Sequence, residues 1–212
     1  AHTKQPFDLL NPPYVYYRYE FERYWHFYQV FGRLGYNLNT SSEVWDREFE
    51  DRFGEEGGPI ISEALHKASW VLPTIVAACA PYGTFPTTRG WAEKQRFGDL
   101  PQYALAEGSD IQQFASFDTE ARLLIEGGET CKRLPSATSA WFARTSEELN
   151  ELIDRAENLE DPQDPEDPEN KELFSSITDL KILSNLALYH SFRMPAAVSY
   201  RIYQRTGDPF AL

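Results

Sequence analysis

The chain has 212 residues, of which 42% are hydrophobic and 15% aromatic, enough for one large domain with a substantial buried core. Its formal net charge of -13 works against an extended nucleic-acid footprint and against an anionic membrane surface, both of which need clustered Lys and Arg. No apolar run reaches about 18 residues, so no membrane-spanning helix is expected, and two cysteines, Cys79 and Cys131, do not make a disulfide framework.

The opening AHTKQPFDLL carries neither the basic and apolar regions of a signal peptide nor an initiating Met, and it reads as a processed or a cut chain. Residues 20–35 predict a helix. Phe21, Trp25, Tyr28 and Gly32 form one stripe and Tyr24, Phe27, Phe31 and Leu34 the next, so rings occupy most sides. A helix apolar on most sides is expected in a core, with Gly35 ending it. In NTSSEVWDREFEDRFG, Thr40 with Glu43 fits a capping box, Trp45, Phe49 and Phe53 recur every fourth residue, and Gly54 is a stop signal. The next helix has Pro59 in its first turn and carries Ile61, Leu65, Ala68, Leu72, Ile75 and Cys79 at helical period; Pro73 predicts a kink in it. Cys79, in IVAACA, reads as a buried thiol.

Residues 81–115 lose the period and are rich in Gly, Pro and aromatics, so they read as one long loop holding at most a short helix. FDTEARLLIEGG predicts a short helix capped by Asp118 and stopped by Gly127. PSATSAWFARTSEELNELIDRAENL reads as one or two helices, with Ala137, Ala140 and Trp141 on one face and Leu149, Leu152, Ile153 and Ala156 on another. Residues 160–170, EDPQDPEDPEN, hold no apolar side chain and predict a solvated acidic, Pro-rich loop whose spacing departs from a calcium loop. The final segment is the longest helical pattern. Leu173, Ile177, Leu180, Leu183, Ala187, Phe192 and Tyr200 mark its core face, Pro195 predicts a kink, Gly207 a cap, and Asp208-Pro209 a new start. No segment has strand period, so the fold expected is all-α: an irregular multi-helix bundle or array, one helical domain over 1–212 that reads as a piece of a longer chain.

Chemistry is sparsely marked. No phosphate-binding glycine motif, no G-x-S-x-G elbow, no H-E-x-x-H and no C-x-x-C occurs, so no cofactor and no metal is expected. His26 stands one turn after Glu22 and could pair with it. A glycosidase needs two carboxyl groups flanking a sugar bond, and Glu107 with Asp110 is the best-placed catalytic pair, a solvated loop or helix cap being the plainer reading. Arg89, Trp91 and Arg96, with Lys94 between them, mix cations with an indole and could hold an acidic sugar by a charge-assisted fork and ring stacking; a packing loop with surface charges is the plainer reading.

Two segments carry a resemblance. ERYWHFYQVFGRLGYNLNTSSEVWDREFEDRFG, through Trp25, Gly32–Asn37 and Arg52–Gly54, resembles the helix pair that follows the catalytic barrel in xylan α-glucuronidase-like glycoside hydrolases. DLKILSNLALYHSFRMPAAVSYRIYQRTGDPFAL, through LALYH and RTGD, resembles the later long helix of such accessory domains. Together they cover about 70 residues. The resemblance implies a helical domain carried behind a (β/α)8 barrel in a polysaccharide-degrading protein. Such a domain buttresses the barrel of its own parent chain, contributes a loop to the sugar cleft, contacts carbohydrate and mediates a homodimer. Acid and base would sit on the barrel, so no catalytic residue carries over, and a periplasmic or secreted setting is favoured. Two other readings stand beside it: a stand-alone carbohydrate-binding or scaffold module using loop 81–115, and a small helical glycosidase or lyase using Glu107 and Asp110.

Overall fold

The computed structural model describes residues 16–79, 99–159 and 168–211. The fold is all-α. Its helices are α1 (Glu20–Arg23), α2 (Trp25–Tyr36), α3 (Glu43–Ala68), α4 (Val71–Ala78), α5 (Leu100–Tyr103), α6 (Phe117–Glu126), α7 (Pro135–Glu157) and α8 (Pro168–Thr206), followed by one 3-10 turn at Pro209–Ala211. Among the described residues the only extended pairing is an isolated parallel bridge between Phe114 and Arg133. No helix among them is long and apolar enough to cross a membrane. The loop expected at 160–170 falls largely on 160–167, outside the described residues, as does 81–98.

Breaks fall where backbone chemistry puts them. α3 is two helices joined at Gly54, whose φ of 78° is a conformation that glycine adopts without steric cost. A Cβ on Gly58 would come within 2.7 Å of the Glu50 backbone nitrogen, so that glycine lets the second half of α3 close against the first. Thr40 does not form the expected capping box; its hydroxyl donates back to the Asn37 carbonyl at 2.7 Å. Pro73 makes no kink inside a helix. The chain turns at Ser69 and Trp70 instead, and α4 restarts at Val71, which puts the proline in a first turn where its missing N–H costs nothing. α8 runs unbroken past Pro195 and ends at Thr206, with Gly207 at φ 70° beyond it.

The chain divides into two compact units, Ala1–His66 with Leu149–Ile182, and Lys67–Glu148 with Leu183–Leu212. In the first, Trp25 and Phe49 meet edge to face at 4.8 Å. The Trp25 indole N–H donates to Glu172 Oε1 at 3.0 Å, and Arg52 lies 4.5 Å over the indole while reaching the same carboxylate. One glutamate thus serves an indole and a guanidinium, which ties α2, α3 and α8 together. The expected Glu22–His26 pair does not form. Glu22 instead accepts the backbone N–H groups of Arg18 and Tyr19 at the start of α1, and His26 packs on Trp25 and Phe49.

The expectation that residues 20–35 form a core helix is overturned. The stretch breaks at Tyr24, and Trp25 is its one buried ring. Tyr24, Phe27, Tyr28 and Phe31 are all exposed, Phe27 to 62% and Phe31 to 70%. Spacings of three and four residues set these four rings on one side of α2, opposite the Trp25 and Gln29 side. Ring content alone could not separate a core helix from a helix that presents rings outward.

In the second unit α7 and α8 meet through small polar residues. Ser139 Oγ donates to the Ser191 carbonyl at 2.7 Å, and Ser146 and Ser184 hydroxyls lie 3.1 Å apart. Thr138, Ser139 and Phe142 are buried, whereas Ala137 and Ala140, read from the sequence as one face with Trp141, are exposed. In the first unit, the predicted Leu149, Leu152, Ile153 and Ala156 face is buried throughout. Phe192, expected in the core of α8, is exposed, and Met194 is buried in its place.

Asp118 is not the cap of α6. Ser116 is, accepting Thr119 N–H at 3.1 Å. Asp118 instead takes Arg205 at 2.6 Å and Arg201 at 3.0 Å, and their hydrogen bonds, Arg205 first, hold its carboxyl below the usual range. Asp118→Asn is expected to cost about 1–2 kcal/mol in urea denaturation at neutral pH, because it strips two guanidinium groups of their shared anion. A loss under about 0.3 kcal/mol would make the fork a surface ornament.

Candidate functional site

Of the residues singled out from the sequence, Arg89, Trp91, Lys94 and Arg96 lie outside the described residues. Glu107 and Asp110 are described. The segment that carries them lies along the end of α4, with Ser109 N–H donating to the Val76 carbonyl at 2.9 Å and Asp110 N–H to the Ala77 carbonyl at 3.2 Å. Gly108 makes this possible: an ideal Cβ there would fall 1.9 Å from the Ala77 carbonyl oxygen. Glu107 is exposed. Asp110 is half-buried and its Oδ1 accepts the Gln113 N–H at 3.0 Å, the geometry of a turn cap.

A buried polar cluster begins where α4 ends. Cys79 closes α4 and is fully buried. Its Sγ donates to the Ile75 carbonyl at 3.5 Å and stands 3.8 Å from His190 Nδ1. Tyr103, from α5, places its Oη 3.3 Å from the same nitrogen. Arg193 lies 4.0 Å over the Tyr103 ring, and Phe142 of α7 packs against the imidazole.

The charge states follow from burial. Desolvation, with the Arg193 cation adding to it, pushes His190 down to about 4, so the imidazole is neutral at pH 7. The one Cys79 proton is directed at the Ile75 carbonyl, so the Tyr103 hydroxyl is the group that can donate to Nδ1, the ring proton then sitting on Nε2. Burial pushes the Cys79 thiol up to about 11, and burial followed by the neighbouring thiol pushes the Tyr103 hydroxyl up as well. A protonated, sealed thiol is not a nucleophile. As it stands the cluster is a satisfied polar junction of α4, α5, α7 and α8. Cys79 was legible in the sequence as a buried thiol; Tyr103, 24 residues on and outside any periodic pattern, was not.

A second cluster joins cations to rings. Arg133 is clamped at both ends of its peptide, its N–H donating to Gln113 O at 2.8 Å and its carbonyl accepting Ala115 N–H at 2.9 Å. Its guanidinium carbon lies 5.7 Å from the Phe114 ring centroid and 5.8 Å from that of Trp141. Arg144 follows Trp141 by three residues on α7. This is the cation–indole combination expected around Trp91, built from α7 and the residues just before it, with Phe114 brought in by the bridge. The Trp141–Arg144 spacing was its one readable sign. No group of three or more metal-ligating side chains occurs among the described residues.

No family model, no curated protein and no solved structure matches the chain.

Proposed function

We propose that the chain is a non-catalytic helical accessory domain of a glycoside-hydrolase-like, polysaccharide-degrading protein, buttressing the catalytic barrel of its own parent chain. The observation that carries this reading is the aromatic face of α2. Taking about 200 Å² for each side chain, Tyr24, Phe27, Tyr28 and Phe31 leave roughly 450 Å² of ring surface in water. With Tyr19, Phe21, Tyr36 and Leu38, also exposed, the total reaches about 1,000 Å², more than one side of a standard protein interface. Gly32 and Gly35 on the same helix have nothing within 4 Å of an added Cβ, which leaves room for a packing element to come close. So much exposed apolar surface marks a region made to be covered. It also lies within the stretch that resembles the helix following a glycoside-hydrolase barrel, whose outer layer of helices supplies suitable ridges.

Hydroxyl-radical footprinting tests the reading. Phe27, Tyr28 and Phe31 should be modified readily in the 212-residue chain and protected in the parent polypeptide. Phe31→Ser should leave the isolated chain within about 0.5 kcal/mol of wild type and lower the melting temperature of the parent. Equal labelling in both contexts, or turnover of aryl glycosides by the 212-residue chain alone, would overturn it.

A further inference from the structure

We propose that Arg133, Arg144 and Trp141 form a non-catalytic subsite for a carboxylate-bearing sugar of an acidic polysaccharide. The class of ligand rests on the polysaccharide reading above; the cation–ring geometry does not.

Arg133 and Arg144 come close enough here to repel each other, and Lys132 precedes Arg133 in the sequence, in a chain of net charge -13. None of them has an ion-pair partner among the described residues. The carboxylate one turn beyond Arg144, Glu148, is taken by Lys67 at 2.7 Å. Burial and then the Arg144 cation depress Arg133, yet a guanidinium stays charged in any protein, so the repulsion stands as a cost that an anion would relieve.

The surroundings are prepared for a flat anion. Arg133 is held by both backbone hydrogen bonds of the bridge, and its guanidinium sits against two rings, which leaves its N–H fork pre-oriented. Trp141 rests edge to face at 5.1 Å on Phe142, which is fully buried, so the indole has a fixed seat. A planar carboxylate fits a guanidinium fork with two parallel hydrogen bonds. The half-exposed indole beside it offers the apolar face of a pyranose ring a surface to pack on.

The test uses the whole 212-residue chain, with trigalacturonate, neutral xylotriose and inorganic sulfate as probes. NMR follows the Trp141 indole N–H and the Arg133 Nε–H. Trigalacturonate should move both signals saturably, xylotriose should move neither, and sulfate should need far higher concentration. Arg144→Gln, at an exposed position, should weaken binding about tenfold with the fold intact, and Arg133→Gln more than that. Silent Trp141 and Arg133 signals at millimolar trigalacturonate, equal response to sulfate, or unchanged affinity in Arg144→Gln would each overturn the subsite. Loss of the accessory-domain reading, by glycoside turnover or by equal footprinting of α2, would leave the titration result untouched. A silent titration would leave that reading standing.

Discussion

Between pH 6.5 and about 4 the protein is expected to lose on the order of 3 kcal/mol of stability through His190 alone. The unfolded imidazole titrates near 6.5 and the folded one near 4, so in that window the unfolded chain binds the extra proton and stability rises with pH. The contribution is complete above 6.5 and is lost as pH falls through the folded value. Charging the ring would place a proton on Nδ1, against the Tyr103 hydroxyl and Cys79 thiol that now converge there, and beside the Arg193 cation. Urea midpoints measured at about pH 7 and about pH 4.5 would give the slope. His190→Gln should be less stable at neutral pH and should have lost that slope. The His190 ring protons, followed by NMR in the native chain, should show no titration above about pH 5; a normal midpoint would show that the ring is not sealed.

Gly108→Ala is expected to cost about 3 kcal/mol, or to pull residues 106–110 away from α4. The added methyl would meet a backbone carbonyl 1.9 Å away, and Ala77 cannot yield because its peptide is part of α4 and already accepts Asp110 N–H. Gly35→Ala is the matched control. It is helical and has nothing within 4 Å, so it should stabilise by about 0.5–1 kcal/mol. Thermal melts of the two variants should move in opposite directions. Movement in the same direction would mean that the 106–110 segment is not seated as described.

Helix type and the glycine stops were legible, because they are local: Gly127 at φ 78° and Gly207 at φ 70° stand where glycine was read as a stop, whereas the caps read at Thr40 and Asp118 do not form. Which side of a helix faces inward was legible only where aliphatic residues mark it, as at Leu149 to Ala156. It failed where rings or hydroxyls carry the packing. The α2 aromatics are apolar and exposed, while Ser139, Ser146 and Ser184 are polar and buried, since their hydroxyls find carbonyl or hydroxyl partners across the α7–α8 contact. Of the candidate sites, Glu107 and Asp110 were found by type, and only tertiary structure revealed the close fit of their segment to α4. The Arg133–Trp141–Arg144 cluster needed the Phe114–Arg133 bridge, a pairing without any strand pattern to announce it.

The serine seam between α7 and α8 sets what kinds of sequence drift the second unit can absorb. A hydroxyl that donates to a backbone carbonyl can be exchanged for a methyl at modest cost, since the carbonyls keep their helical partners. Extra volume has nowhere to go between helices seated on side chains this small. Ser, Ala, Gly and Cys should therefore interchange at 146 and 184 among functioning variants, and branched residues should be purged. Size, not polarity, would be the inherited property of those positions.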